Sequence, residues 1–261
     1  MVDLFAAMEK VKELAITVGK MQKDNLGRKD LAMNTKSTSI DLVTEIDKQS
    51  EQMIIKFIRK NYPCHSILAE ESGLAASETE YLWVVDPLDG TTNFSQGLPI
   101  FAVSIALQYK NETVLGVVYA PVVDQLFTAI KGQGAFLNGK RLQVSAKEDL
   151  AKSVLATGFP YDIRENPINN LAYFNRLLPS ARAIRRMGAA AYDLACVAAG
   201  FFDGFWELKL SLWDVAAAVL LVEEAGGKIV YFRQDRGISL IAGNEVICGA
   251  ILEEIKQVDH S

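Results

Sequence analysis

The sequence predicts an α+β protein, layered, with mixed and antiparallel sheets covered by helices. Three observations carry that expectation. Apolar residues at Leu4, Met8, Val11, Leu14, Ala15, Val18 and Met21 recur at the spacing of one helix face. Runs of β-forming residues over 101–109, 113–119 and 125–130 are closely spaced and punctuated by Asn111, Pro121 and Gly132, as in antiparallel sheet. The second half alternates short strand patterns with apolar helix patterns, and strands with covering helices build layers.

The elements follow in order. After the first helix comes a polar stretch with Lys36, Ser37, Thr38 and Ser39, then a helix pattern from about Thr44 to Arg59. Short β-like runs stand at 66–69 and 82–85, the second expected to break at Pro87 into a turn. Beyond the antiparallel region a strand is expected at 153–157, a helix around 169–178 and a strand at 183–186. A helix over 189–199, a strand over 203–207 and an apolar helix over 212–225 come next. Gly226-Gly227 ends that helix, because glycine adopts the left-handed cap conformation cheaply. A final strand and helix run from about Ile238 to Ile255. With no repeats or long linkers, 1–261 reads as one body.

Composition narrows the chemistry. The chain of 261 residues is 50% hydrophobic and 23% charged, the profile of a soluble globular protein. No apolar run approaches the ~20 residues of a membrane span, and the first residues lack a signal-peptide pattern. Cys64, Cys196 and Cys248 fit neither a disulfide framework nor a zinc pattern, so a cytoplasmic location is expected. A net charge of −5 argues against a nucleic-acid partner. His65 and His260 are the only histidines, which leaves catalysis to carboxylates, hydroxyls, lysines and metal.

The acids cluster at Asp47, at Glu70-Glu71, at Asp86 with Asp89, and at Asp214. Thr44-x-x-Asp47 and Ser211-x-x-Asp214 both read as helix capping boxes, and Asp89-Gly90 resembles an ordinary turn dipeptide. The apolar company favours a site. Asp86 follows Leu82-Trp83-Val84-Val85 and Glu70 follows Ile67-Leu68-Ala69, so both acids emerge from buried strand ends. Buried charge needs compensation, and a hard cation such as Mg²⁺ takes oxygen ligands and bridges to phosphate. Amides around Gly90 and Thr91 could cradle that phosphate.

The stretch Trp83-Val84-Val85-Asp86-Pro87-Leu88-Asp89-Gly90-Thr91-Thr92-Asn93-Phe94 resembles the first signature of the inositol monophosphatase family. Trp213-Asp214-Val215-Ala216-Ala217-Ala218, leading to Glu223-Glu224-Ala225-Gly226-Gly227, is similar to its second. Glu70-Glu71-Ser72 and Asp41-Leu42-Val43-Thr44-Glu45-Ile46-Asp47 match in the expected order. The resemblance implies the sugar-phosphatase fold, a layered αβαβα sandwich. It also implies a metal- and phosphate-binding half over about 1–150, with 151–261 completing the site.

Roles follow from the resemblance residue by residue. Glu70, Asp86, the Leu88 carbonyl, Asp89 and Asp214 would hold two or three Mg²⁺ ions. Glu70 and Thr91 would position the attacking water, with Asp47 orienting the Thr91 hydroxyl. Asp89, Gly90, Thr91, Gly188, Ala190 and Glu207 would meet the substrate, and Lys36 would lie on a mobile loop over the metals. The implied reaction is hydrolysis of inositol monophosphate or a similar small polyol phosphate, sensitive to Li⁺, by a homodimer. Fructose 1,6-bisphosphate, a 3′-phosphoadenosine nucleotide, NADP and histidinol phosphate are alternative substrates of the same chemistry. A regulatory protein that binds the transcription machinery is the reading from another class.

Overall fold

The structure is a computed structural model that describes residues 2–28, 33–35 and 42–259. The chain opens with α1 (Leu4–Asn25), β1 (Met33–Thr35), β2 (Leu42–Thr44) and α2 (Glu45–Asn61). Then come β3 (Ser66–Ala69), β4 (Gly73–Ala75), β5 (Tyr81–Asp89), the short α3 (Thr91–Ser95), β6 (Ala102–Tyr109) and β7 (Glu112–Ala120). The first large sheet closes with β8 (Gln125–Ile130), β9 (Gly134–Leu137) and β10 (Lys140–Arg141). A turn of 3-10 helix at Leu150–Lys152 leads to β11 (Val154–Thr157), α4 (Leu171–Leu177), β12 (Ala183–Arg185) and α5 (Ala190–Ala198). The last elements are β13 (Gly204–Leu210), α6 (Leu212–Glu224), β14 (Lys228–Arg233), β15 (Ile238–Gly243) and α7 (Glu245–Asp259).

Two larger sheets form, of eight strands in the order β10-β9-β8-β7-β6-β5-β3-β4 and of five in the order β12-β11-β13-β15-β14. The first is antiparallel except where β3 runs parallel to β5, and the second is mixed, with β11 parallel to both β12 and β13. Helices fill the remaining layers. Met8, Val11 and Leu14 of α1 and Ile54 and Ile58 of α2 pack on Trp83, Val85, Ile105 and Val117 of the eight-stranded sheet. On its other face, Val84, Ala106 and Phe127 meet Leu194 and Val197 of α5 and Ala217 and Leu221 of α6. Those two helices also pack on Phe205 and Leu240 of the five-stranded sheet. Beyond it, Trp206 and Ile241 are covered by Tyr173 and Leu177 of α4 and Ile247 and Ile251 of α7. The order is therefore α, β, α, β, α.

The middle helical layer positions the site, and strand alternation explains how acids reach it. Successive side chains of a strand point to opposite faces. Trp83 and Val85 face α1 and α2, so Val84, and Asp86 after it in phase, face the middle layer. In β13 the outward residues are Trp206 and Leu208, which turns Glu207 inward toward the same layer.

The strand does not break at Pro87, contrary to expectation. β5 continues to Asp89, and its pairing with β6 slips between Asp86 and Asp89. A bulge of this kind accommodates proline within a sheet, because the missing N–H falls where the ladder is already interrupted. The turn comes three residues later at Gly90, whose φ of +94° lies in the left-handed region that glycine occupies without strain. The strands β1, β2, β4, β9, β10 and β14 and the short α3 were not anticipated.

Candidate active site

One cavity of about 300 Å³ opens between the two larger sheets, lined by Glu70, Asp86, Leu88, Asp89, Gly90 and Thr91 together with Gly188, Ala190, Glu207 and Asp214. Ten of the residues singled out from the sequence are thus brought together from four regions of the chain. Asp47 stands directly behind them. Its Oδ1 accepts the Thr91 hydroxyl at 2.7 Å while its Oδ2 accepts the Thr44 N–H at 2.8 Å. The capping box and the site role are therefore compatible in one fully buried carboxylate. The Leu88 carbonyl lies 3.1 Å from the same Thr91 hydroxyl, which has a single hydrogen to give. Lys36 lies outside the described residues.

Asp214 repeats the pattern. It is the third residue of α6, and its Oδ2 accepts the Ser211 N–H at 2.6 Å. Asp89 does something the sequence did not suggest. Its Oδ1 accepts the Ala190 N–H at 2.9 Å and its Oδ2 the Tyr192 N–H at 3.1 Å. Ala189, the N-cap of α5, has no side chain to serve those amides, so an acid from the first sheet caps a helix of the second half. Gly90 allows the close approach. A Cβ there would stand 3.0 Å from the Ile100 carbonyl and 3.2 Å from the Ala189 Cβ. Asn93 adds a tie, donating from Nδ2 to the Ile100 and Met187 carbonyls at 2.8 and 2.7 Å.

The electrostatics are those of crowded, buried acids. Burial pushes the Asp86 carboxyl well above its ordinary value, and the neighbouring Glu70, Asp89 and Asp214 push the same way. Asp89 rises to about 7, chiefly through burial, with the Tyr192 and Ala190 amides pulling it back. Glu207 rises to about 8 through burial and Asp214, against the pull of Arg186. Such a cluster favours protons or a bound cation over bare charge. Its donors are all oxygen, with no histidine or thiolate among them, and that suits Mg²⁺ rather than a softer metal. Among the described residues, no three acidic, histidine or cysteine side chains stand close enough together to hold an ion without rearranging.

Sequence reasoning missed three contributors. Asp193 is buried on α5, lines the cavity, and leaves Oδ1 without a hydrogen-bond partner. An acid inside the apolar run Ala191-Tyr192-Asp193-Leu194-Ala195 was its signal. Arg186 lines the cavity facing Glu207 and Asp193, and an arginine beside Arg185 gave no sign of that. The loop Gly158-Phe159-Pro160-Tyr161 forms another wall and carries no sequence signal beyond its glycine and proline. His65 packs away from the cavity, stacked on Tyr62 and Tyr81 and accepting the Trp83 Nε1–H at 3.1 Å.

Five alternating layers, with acids at the junction of two sheets, define the sugar-phosphatase fold. The chain belongs to the inositol monophosphatase family, whose model matches residues 6–259. Among its relatives, the Nus factor SuhB of Pasteurella multocida (strain Pm70) is 48% identical over 231 residues, 87% of this chain and 85% of that protein. The extragenic suppressor protein suhB from Bartonella henselae superposes with a TM-score of 0.90 at 39% identity, over 97% of this chain and 99% of that one. The inositol monophosphatase from Anabaena (Nostoc) sp. PCC 7120 gives 0.88 at 39% identity, over 98% and 97%. Among the described residues no helix is long and apolar enough to cross a membrane.

Proposed function

We propose that this chain is a Mg²⁺-dependent phosphatase of small phosphomonoesters, with inositol monophosphates and similar polyol phosphates as its substrates. The supporting observation is that Glu70, Asp86, Asp89 and Asp214 line one cavity with the Gly90-Thr91 turn and with Glu207. In this reading those four carboxylates and the Leu88 carbonyl hold the cation. Bound Mg²⁺ neutralises phosphoryl charge and makes water acidic enough to attack near neutral pH.

The chain's own groups then divide the work. Asp47 holds the Thr91 hydroxyl, so that Thr91 and Glu70 orient the attacking water. Amides at Gly90 and Thr91 receive phosphate oxygens. Gly188, Ala190 and Glu207 meet the hydroxyls of the alcohol. Inhibition by Li⁺, a homodimeric state and a cytoplasmic setting belong to the same reading.

The test is phosphate release by purified protein with Mg²⁺ over inositol, sugar, nucleotide and amino-alcohol phosphates. Fructose 1,6-bisphosphate, 3′-phosphoadenosine nucleotides, NADP and histidinol phosphate serve as the alternative arms. No release from any of them would sink the proposal. Asp89→Asn should lower release by at least about 100-fold, since it removes charge from the site while keeping an acceptor for α5.

A regulatory role through the transcription machinery is the second reading, and the name Nus factor borne by the Pasteurella relative favours it. The same variant separates the two. A folded Asp89→Asn protein that keeps its cellular function would assign that function to binding rather than to hydrolysis.

A further inference from the structure

Gly158 lies just past the end of β11, where the parallel register pairs Thr157 with Trp206 of β13. A Cβ built on Gly158 would stand 2.2 Å from Oε1 of Glu207 and 2.4 Å from its Cδ and Oε2. All three nearest atoms belong to a single carboxylate, one that lines the cavity. The backbone of Gly158 is not in the left-handed region, so nothing in its conformation calls for glycine. The carboxylate does.

Gly158 cannot retreat from that contact. Its carbonyl accepts from Asn170 Nδ2 at 2.6 Å, and the same amide group donates to Thr157 Oγ1 at 2.7 Å. Trp206 Nε1 donates to Asn170 Oδ1 at 2.7 Å, and the Thr157 hydroxyl donates to the Trp206 carbonyl at 2.6 Å. Thr157, Asn170 and Trp206 are wholly buried. Downstream, Asp162 is held by Arg236 at 2.8 and 3.0 Å and by Lys209 at 2.7 Å. Lys209 belongs to β13 itself, so the wall loop and the strand bearing Glu207 are tied at both ends of the contact.

We propose that Gly158 is a specificity-determining position. By having no side chain it seats the Glu207 carboxylate against the cavity wall, which fixes the acceptor and leaves the space in front of it for a hydroxyl-bearing alcohol. This rests on the reading that Glu207 meets the substrate's hydroxyls. A methyl at 158 displaces the flexible Glu207 side chain into the cavity, because the clamped backbone cannot yield. Gly158 acts through Glu207 and touches no reacting atom, so it is a positioning residue.

The experiment compares kcat and KM for inositol 1-phosphate and for p-nitrophenyl phosphate, which carries no hydroxyls on its leaving group. Wild type, Gly158→Ala, Glu207→Ala, Glu207→Asp and the double variants are assayed with Mg²⁺. Gly158→Ala should lower the ratio of the two kcat/KM values by roughly tenfold or more, mainly through KM for the polyol phosphate. Adding Glu207→Asp, one methylene shorter, should restore most of the ratio. In a Glu207→Ala background the methyl should change the ratio no further. An unchanged ratio for Gly158→Ala, or a failed rescue together with additive losses, overturns the proposal while leaving the phosphatase reading intact. Wild type inactive on every phosphomonoester instead overturns that reading, and this one with it. If Gly158→Ala does not fold, Glu207→Ala should restore a folded chain, and a double variant that stays unfolded also overturns the proposal.

Discussion

Asp47 holds a helix start with one carboxylate oxygen and the Thr91 hydroxyl with the other. Asp47→Ala should therefore fail twice. Loss of the reciprocal capping-box bond to the Thr44 N–H should cost about 1 kcal/mol, read as a lower urea midpoint. Loss of the Thr91 partner should lower kcat for phosphate release by roughly 10- to 100-fold. Asp47→Asn keeps an acceptor, so it should recover much of the stability and less of the rate. A variant whose rate falls only in step with its folded fraction would refute the second role. At this scale the sequence was informative where an acid interrupts an apolar strand, as Asp86 and Glu70 do. It was silent on Gly158, whose meaning depends on partners distant in the chain.

Between elements, β7 meets α6 backbone to backbone. A Cβ at Gly116 would stand 2.7 Å from the Ala217 carbonyl oxygen and 3.0 Å from its Cα. Backbone cannot swing aside as a side-chain tip can. Gly116→Ala should thus lose about 1–3 kcal/mol in chemical denaturation, and it should depress activity by shifting the helix that carries Asp214. Full stability in that variant would contradict the packing described. Interior strands such as β6 and β7 were legible because both their faces are buried and apolar. The strands β4, β10 and β14 lie at sheet edges, half exposed and short on pattern. The continuation of β5 through Pro87 was hidden because a bulge depends on the partner strand, not on local residues.

For the molecule as a whole, the raised carboxyls link stability to pH. Asp89 at about 7 and Glu207 at about 8 bind protons more tightly folded than unfolded. Their contribution is present at low pH and is lost as pH rises from the ordinary carboxylate range, about 4, through those values. Mg²⁺ competes with the same protons, so on the proposed reading it should raise Tm more at about pH 8 than at about pH 5.5. An equal rise at both would exclude these acids as the binding groups.

Asp89 has one more consequence, and it concerns the order in which the protein comes together. The strands from β5 to β9 pair almost entirely with their neighbours in sequence and need only short loops to close. The helix that Asp89 caps begins about a hundred residues later, so its two amide bonds form only after long loop closure. In refolding, the return of activity should trail the return of sheet structure and mark the docking of the second half onto the first. Substitutions in the outer core around Ile247 and Ile251 should delay that event without touching a single residue of the cavity's acid cluster.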